Sequence, residues 1–272
     1  MAIDLTLTWA GLIAFAVFMY VLLDGFDLGV GILFPVAPDD RARDTMMNSV
    51  APIWDGNETW LVLGGSGLLA AFPLAYAIIL PALYFPVLIM LVALIFRGVA
   101  FEFRFKAQTS RPLWDRAFFG GSLLATFAQG VILGAFIHGF RVEGAIFAGG
   151  PFDWLSPFTI MTGLGLIAGY ALLGATWLVM KTEGVLQEWA YGQARRLLLV
   201  VLAFVAIVSL WSPLSDAEIA RRWFSWPNIL FLSPVPIVTG LAALRLWAGL
   251  GRREEVTPFA LTMTLFALAY GG

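Results

Sequence analysis

Four carboxylates stand where a hydrophobic chain should tolerate them least. Asp24 and Asp27 lie within Val21-Leu22-Leu23-Asp24-Gly25-Phe26-Asp27-Leu28-Gly29-Val30-Gly31, inside a long apolar run. A three-residue spacing on a helix puts both carboxylates on one face. Two carboxylates this close do not both stay ionised without a cation, so either one holds a proton or an arginine sits nearby. Asp55 and Glu58 repeat the spacing within Trp54-Asp55-Gly56-Asn57-Glu58-Thr59-Trp60. Partly desolvated groups that gain and lose protons could make a proton-uptake path, and equally an ion-pair network tying helices together. Asp55 by itself also suits a plain helix N-cap. Arg97, in Phe96-Arg97-Gly98-Val99-Ala100-Phe101-Glu102-Phe103-Arg104, is the natural partner for either pair, or else it snorkels to the membrane surface from its place near a helix end. Arg104, Lys106 and Arg111 read as ordinary basic residues of a loop.

The elements that must position these groups are membrane helices. The chain has 272 residues, 60% hydrophobic and only 12% charged. An ordinary soluble domain carries about 25% charged residues, so this surface cannot face water. A soluble enzyme and a disordered chain are excluded, and a net charge of -2 excludes nucleic-acid binding through a basic face. A spanning helix needs about 20 apolar residues, and eight candidates read at 8–36, 58–77, 80–101, 117–138, 157–180, 197–212, 228–248 and 256–272. Pro35 and Pro38 end the first, a tight turn after Pro73 joins the second and third, and the sixth extends beyond its short apolar core. Strand alternation is absent, which argues against a barrel. Asp27 then lies roughly 12 Å from the end of the first span and Asp24 roughly 16 Å.

Cysteine is absent and His138 is the single histidine. The sequence therefore has no thiolate metal site, and no haem held by two histidines can be built inside it. His138 reads as an interfacial residue, Gln129 as a lone polar group bonded across helices, and Gly25/Gly29 as a small-xxx-small pair that admits a close neighbour. Gly163, Gly165, Gly169 and Gly174 suggest tight packing in the fifth span. The N-terminus lacks a basic n-region, so the first run reads as a retained span.

Orientation follows from the basic residues. Thirteen of the 16 lie in or beside the loops after spans 1, 3, 5 and 7, which makes that side cytoplasmic and places the N-terminus outside. Asp24, Asp27, Asp55, Glu58, Arg97 and Glu102 then all fall in the cytoplasmic half. Residues 1–272 read as a single integral-membrane domain, with the last span stopping short at Gly272 as in a truncated chain. A proton- or cation-coupled transporter could use the same carboxylates. Such proteins show paired broken helices at the midplane and internal symmetry, whereas here the charges lie toward one side. A purely structural scaffold is a third reading.

The runs Asp24 to Gly31, Trp54 to Trp60, and Phe96-Arg97 followed by Phe101 to Arg104 occur in order and resemble subunit II of the cytochrome bd-type quinol oxidases. The resemblance implies an all-α bundle, two four-helix bundles and a ninth helix, of which the ninth is missing here. It implies a subunit of a heterodimeric respiratory oxidase in the bacterial cytoplasmic (inner) membrane. That oxidase oxidises quinol at the outer face and reduces dioxygen to water with cytoplasmic protons; this subunit is not catalytic alone. The b-type haems, and in most members haem d, would belong to subunit I, with no haem and no metal ligated by this chain. A structural quinone, membrane lipids and a small third subunit are left open. By position, the resemblance makes Asp55 a proton-path carboxylate, with Asp24, Asp27 and Arg97 flanking it and Glu58 beside it. Trp60 would serve oxygen access, and Trp54, Asn57 and Glu102 the subunit interface.

Overall fold

The computed structural model describes residues 4–215 and 217–271. The first helix, α1 (Leu5–Leu33), starts where the Asp4 carboxylate accepts hydrogen bonds from the backbone N–H of Thr6 (2.9 Å) and Leu7 (3.2 Å), and runs into a 3-10 turn at Pro35. The short α2 (Asp40–Val50), capped by Asp39, lies on the neighbouring bundle surface with Met46, Met47 and Val50 turned inward. Next come α3 (Trp54–Ala71), α4 (Pro73–Ala82), α5 (Tyr84–Phe103) and α6 (Arg111–His138). A small hairpin at residues 142–147 leads to α7 (Pro157–Lys181), which opens on a capping box between Ser156 and Thr159. The rest is α8 (Gly184–Ser215), α9 (Ala217–Phe224), α10 (Asn228–Leu232), α11 (Pro234–Gly251) and α12 (Val256–Gly271).

This is the expected all-α membrane bundle. Six described helical segments are long and apolar enough to cross a bilayer, and Pro73–Ala82 and Val256–Ala269 are shorter apolar helices. The second candidate span differs from its expected form. No tight turn follows Pro73: the break is at Phe72, and Pro73 sits in the first turn of α4, where its missing N–H leaves no backbone bond unmade. The sixth span extends as expected, into the 32 residues of α8.

Buried α7 is the axis of the core and touches α1, α6, α8 and α12. Two of those contacts depend on glycine. Gly174 abuts the backbone of Gly29 and Val30, and Gly163 abuts Gly130 on α6, so the helices meet backbone to backbone. Around the first crossing, Phe26 stacks on Trp177 with centroids 4.2 Å apart, and Phe259 packs edge-on to both.

At the end of the bundle where α2, α5 and α6 meet, Arg104 is fully buried. It bonds Asp44 at 2.6 Å and Asp115 at 2.5 Å, lies over the ring of Phe34, and shares Asp44 with Arg111. The reading of Arg104 as an ordinary loop cation is therefore corrected: it pins three helices together. Arg104 lies seven residues after Arg97, two helical turns on, and so shares its inward face. Partial burial pushes the Asp44 carboxyl up, but the bonds from Arg104 and Arg111 outweigh it and hold it below the usual carboxylate range. A depressed folded value stabilises the fold above about pH 4 and ceases to do so as pH falls through it. Thermal unfolding of the detergent-solubilised protein should therefore show Asp44→Asn less stable than the unsubstituted chain near pH 7. That gap should narrow as the pH is lowered below about 4. A gap of constant size would mean that Asp44 acts by shape alone.

Candidate functional site

Three helices bring four charged groups to a common point, Asp24 and Asp27 from α1, Glu58 from α3 and Arg97 from α5. Arg97, on the inward face of α5, is fully buried and reaches between α1 and α3. Its Nη1 donates to Asp24 Oδ1 at 2.6 Å and to Glu58 Oε1 at 2.7 Å. Its Nη2 stands 3.8 Å from Asp27 Oδ2. Asn57 closes the group from α3, its Nδ2 donating to Asp27 Oδ2 at 2.7 Å. The guanidinium also lies over the rings of Trp54, at 5.8 Å, and Phe101, at 5.9 Å, which stack on each other.

The alternatives left by the sequence resolve here. The cation beside Asp24 and Asp27 is Arg97, which does not snorkel. Asp55 is not the N-cap of α3: that position is Ile53, and Asp55 lies exposed in the first turn. Small residues make the approach possible. Gly121 of α6 abuts the α5 backbone at Ala93 and Arg97, and Gly25 and Gly29 take Tyr170 and Gly174 of α7.

The arrangement is graded in exposure. Asp24, Asp27 and Arg97 have no exposed surface, whereas the Glu58 side chain keeps 23% and Asp55 is exposed. Glu58 thus bridges the bundle surface and the buried ion pairs. Asp24 Oδ2, Asp27 Oδ1 and the Nε and Nη2 of Arg97 are buried without hydrogen bonds, so the group is not fully satisfied. Behind it Gln129 makes the cross-helix bonds expected of it, to two tyrosines that sequence reasoning did not name. Gln129 Nε2 donates to the Tyr20 hydroxyl at 2.8 Å, and the Tyr170 hydroxyl donates to Gln129 Oε1 at 2.9 Å, all three side chains being buried. Tyr20 precedes Asp24 by four residues, one turn on the same helix face, which was the available signal.

Other expected site residues fall outside the cluster. Glu102 faces away and pairs with Lys106 at 3.0 Å. Trp60 is half-buried, edge-on to Phe15 of α1. His138 is exposed at the far end of α6, about 25 Å along the axis from Gly121. It lines a cavity of about 260 Å³ with Arg141, Trp154 and Thr159. Among the described residues no group of three or more His, Cys, Asp or Glu is placed to hold a metal ion.

The sequence model of the family described as cytochrome bd terminal oxidase subunit II matches residues 5–272. The chain belongs to this family. It is 34% identical over 211 residues to the cytochrome bd-I ubiquinol oxidase subunit 2 of Escherichia coli K12, a match covering 75% of this chain and 56% of the relative. It is 33% identical over 205 residues to the cytochrome bd ubiquinol oxidase subunit 2 of Bacillus subtilis, covering 74% and 60%. The matches thus take in little more than half of each relative's length. The bd oxidase structure from Geobacillus thermodenitrificans contains a chain with the same fold, at a TM-score of 0.77 and 18% identity, covering 98% of this chain and 83% of that one.

Proposed function

We propose that this chain is a haem-free subunit of a bd-type quinol:dioxygen oxidoreductase and carries cytoplasmic protons toward the haems of subunit I. The observation that carries the reading is the Arg97 cluster, graded from exposed Asp55 through Glu58 to buried Asp24 and Asp27. A proton taken up at Asp55 needs one further carboxylate, Glu58, to reach the buried pairs. Arg97 lets several anions stand together, and a proton arriving on one of them rebalances the others.

A haem held by two histidines does not fit the residues present. His138 is the sole histidine, exposed and in edge contact with Phe158 at 4.9 Å. The b-type haems, and haem d where there is one, are assigned to subunit I, and quinol oxidation to the outer face. The distribution of basic residues supports an N-terminus on that outer side.

One face of α3 supports a partner. Its buried residues Asn57, Gly64 and Gly67 serve this chain, and Gly64 and Gly67 pack on Val17 and Ile13 of α1. Its other face exposes Asp55, Gly56, Thr59, Gly65 and Ser66. Polar and small residues on a spanning helix favour another helix over lipid, and we assign that face to subunit I. Trp60 lies on the α1-facing side with Asn57 and Gly64, edge-on to Phe15, where an apolar path for dioxygen could pass.

Asp55→Asn in the intact oxidase tests the reading. With its haem content unchanged, dioxygen reduction should fall by roughly tenfold or more, as on losing a proton-transfer group. Normal turnover at full haem content would overturn the proton role, and loss of haem d would mark Asp55 as an assembly residue.

A further inference from the structure

One cation cannot balance the Arg97 cluster. Three carboxyl groups meet a single guanidinium, and Asp24, Asp27 and Arg97 are fully buried. The three carboxyl groups are not bonded alike. Arg97 Nη1 donates to Asp24 at 2.6 Å and to Glu58 at 2.7 Å, and Glu58 is partly exposed. Asp27 receives no hydrogen bond from Arg97. The 3.8 Å between its Oδ2 and Arg97 Nη2 is beyond hydrogen-bond length, although Nη2 makes no hydrogen bond at all. Its one donor is the neutral amide of Asn57, and its Oδ1 is buried and unbonded.

No second cation makes up the difference. Tyr20, Asp24, Asp27 and Gly31 share one stripe of α1, at spacings of four, three and four. Both ends of that stripe touch α6: Tyr20 accepts from Gln129, and Gly31 lies against Ser122. Thr126, between Ser122 and Gln129 on the same stripe of α6, therefore faces the two aspartates. α6 thus offers hydroxyls and an amide, and α7 offers Tyr170 and Gly174. α3 brings Asn57 and Glu58, and α12 carries no charged residue. Arg43 of α2 is engaged with Asp40 and the Phe34 carbonyl. Among the described residues, Arg97 is the one cation paired with Asp27.

A buried carboxylate without a bonded cation is far costlier than a neutral carboxyl, and its anionic neighbours add to that cost. We propose that Asp27 is the member of the cluster that stands protonated at neutral pH, while Asp24 and Glu58 share the charge of Arg97. The proton sits on Oδ1, the oxygen that Asn57 leaves free. Its acceptor is the Thr126 hydroxyl, which is itself buried and unbonded. The buried threonines Thr176, Thr182 and Thr262 instead donate to the carbonyl one turn back, as a helical threonine ordinarily can. The use of Asp27 as the place where an incoming proton waits rests on the proton-uptake reading above, whereas its resting state does not.

Infrared spectra of the intact two-subunit oxidase at neutral pH, with carbon-13 in the aspartate carboxyl groups, test this. Asp27→Asn should remove a protonated-carboxyl band that moves with the label, and should leave the ionised-carboxylate bands as they were. A structural role alone would remove no such band. Loss of an ionised-carboxylate band instead, or no change in the protonated region, overturns the proposal. Stability gives a second readout. Asparagine matches a protonated aspartate in charge and shape, so Asp27→Asn should accumulate and unfold about as the unsubstituted oxidase does. Asp24→Asn, which takes a directly bonded anion from Arg97, should be clearly less stable. Equal losses in the two variants, or failure of Asp27→Asn to accumulate, would count against a neutral Asp27 and overturn the proposal. Normal turnover in Asp55→Asn would end the proton-uptake reading and leave the Asp27 band in place.

Discussion

Arg97→Met should nearly abolish the folded, extractable protein. The guanidinium is completely buried and bonded to Asp24 and Glu58 at 2.6 and 2.7 Å, with Asp27 at 3.8 Å. Removing one partner from a buried ion pair costs about 3–5 kcal/mol, because a desolvated charge is left behind. Here three carboxylates lose their cation at once, in a fold whose entire stability is on the order of 5–15 kcal/mol. Membrane yield and the monodisperse fraction in size-exclusion chromatography measure the effect. Arg97→Lys should do better than Met yet fall short of arginine, since a single ammonium cannot reproduce a planar fork held between α1 and α3. Adding Asp24→Asn to Arg97→Met should recover part of the loss, because the two residues are directly coupled. Unchanged yield in Arg97→Met would show that the cluster contributes nothing to folding.

The second large effect is expected at Gly29. A Cβ there would run into the carbonyl of Tyr170 and the backbone nitrogen of Gly174, and a Cβ on Gly174 would strike the backbone of Gly29 and Val30. Backbone atoms cannot swing aside, so the helices would have to part. Overpacking of a core costs about 1–3 kcal/mol for side chains that can adjust, and this contact should exceed that range. Gly29→Ala should lower the unfolding temperature markedly and disturb the nearby Asp24–Arg97 pair. Gly11→Ala on the same helix meets nothing within 4 Å and should be neutral or stabilising by up to about 1 kcal/mol. Equal behaviour of the two variants would show that the α1–α7 crossing is not as close as described.

These contrasts show what the sequence made legible. Asp24 and Asp27 could be placed on one helix face by spacing alone, and their need for a cation pointed to Arg97. The same arithmetic keeps Glu102 out of the Arg97 cluster. Five residues from Arg97 is about 140° around a helix, nearly the opposite side. Arg104, at seven residues, returns to the inward face, yet a basic residue near a helix end is normally read as a surface cation. The Tyr20–Gln129–Tyr170 chain depends on three helices meeting, and no spacing within one segment reveals which helix faces which. The expected turn after Pro73 failed for a local reason: proline ends a helix from within but begins one from its first turn. The single-domain reading of residues 1–272 rests on the unbroken series of apolar spans.

The length of α8 sets a vertical dimension that the helical pattern alone leaves unstated. Its 32 residues are about 48 Å long, well beyond the roughly 30 Å of hydrocarbon in a bilayer. From Leu197 to Leu214 the helix is apolar for about 27 Å, nearly matching that thickness, and Arg195 and Arg196 begin its charged portion. The preceding turns are held by Glu188 pairing with Arg253 at 2.7 Å and by the Tyr191 hydroxyl donating to the Glu254 carbonyl at 3.1 Å. A hydrocarbon slab matched to Leu197–Leu214 ends near Arg195 and leaves about 17 Å of braced helix beyond it. These contacts tie the inner end of α8 to the loop before α12, so a change of bilayer thickness acts on both together. The surrounding lipid then deforms or the bundle tilts, the two ordinary responses to a mismatch in thickness.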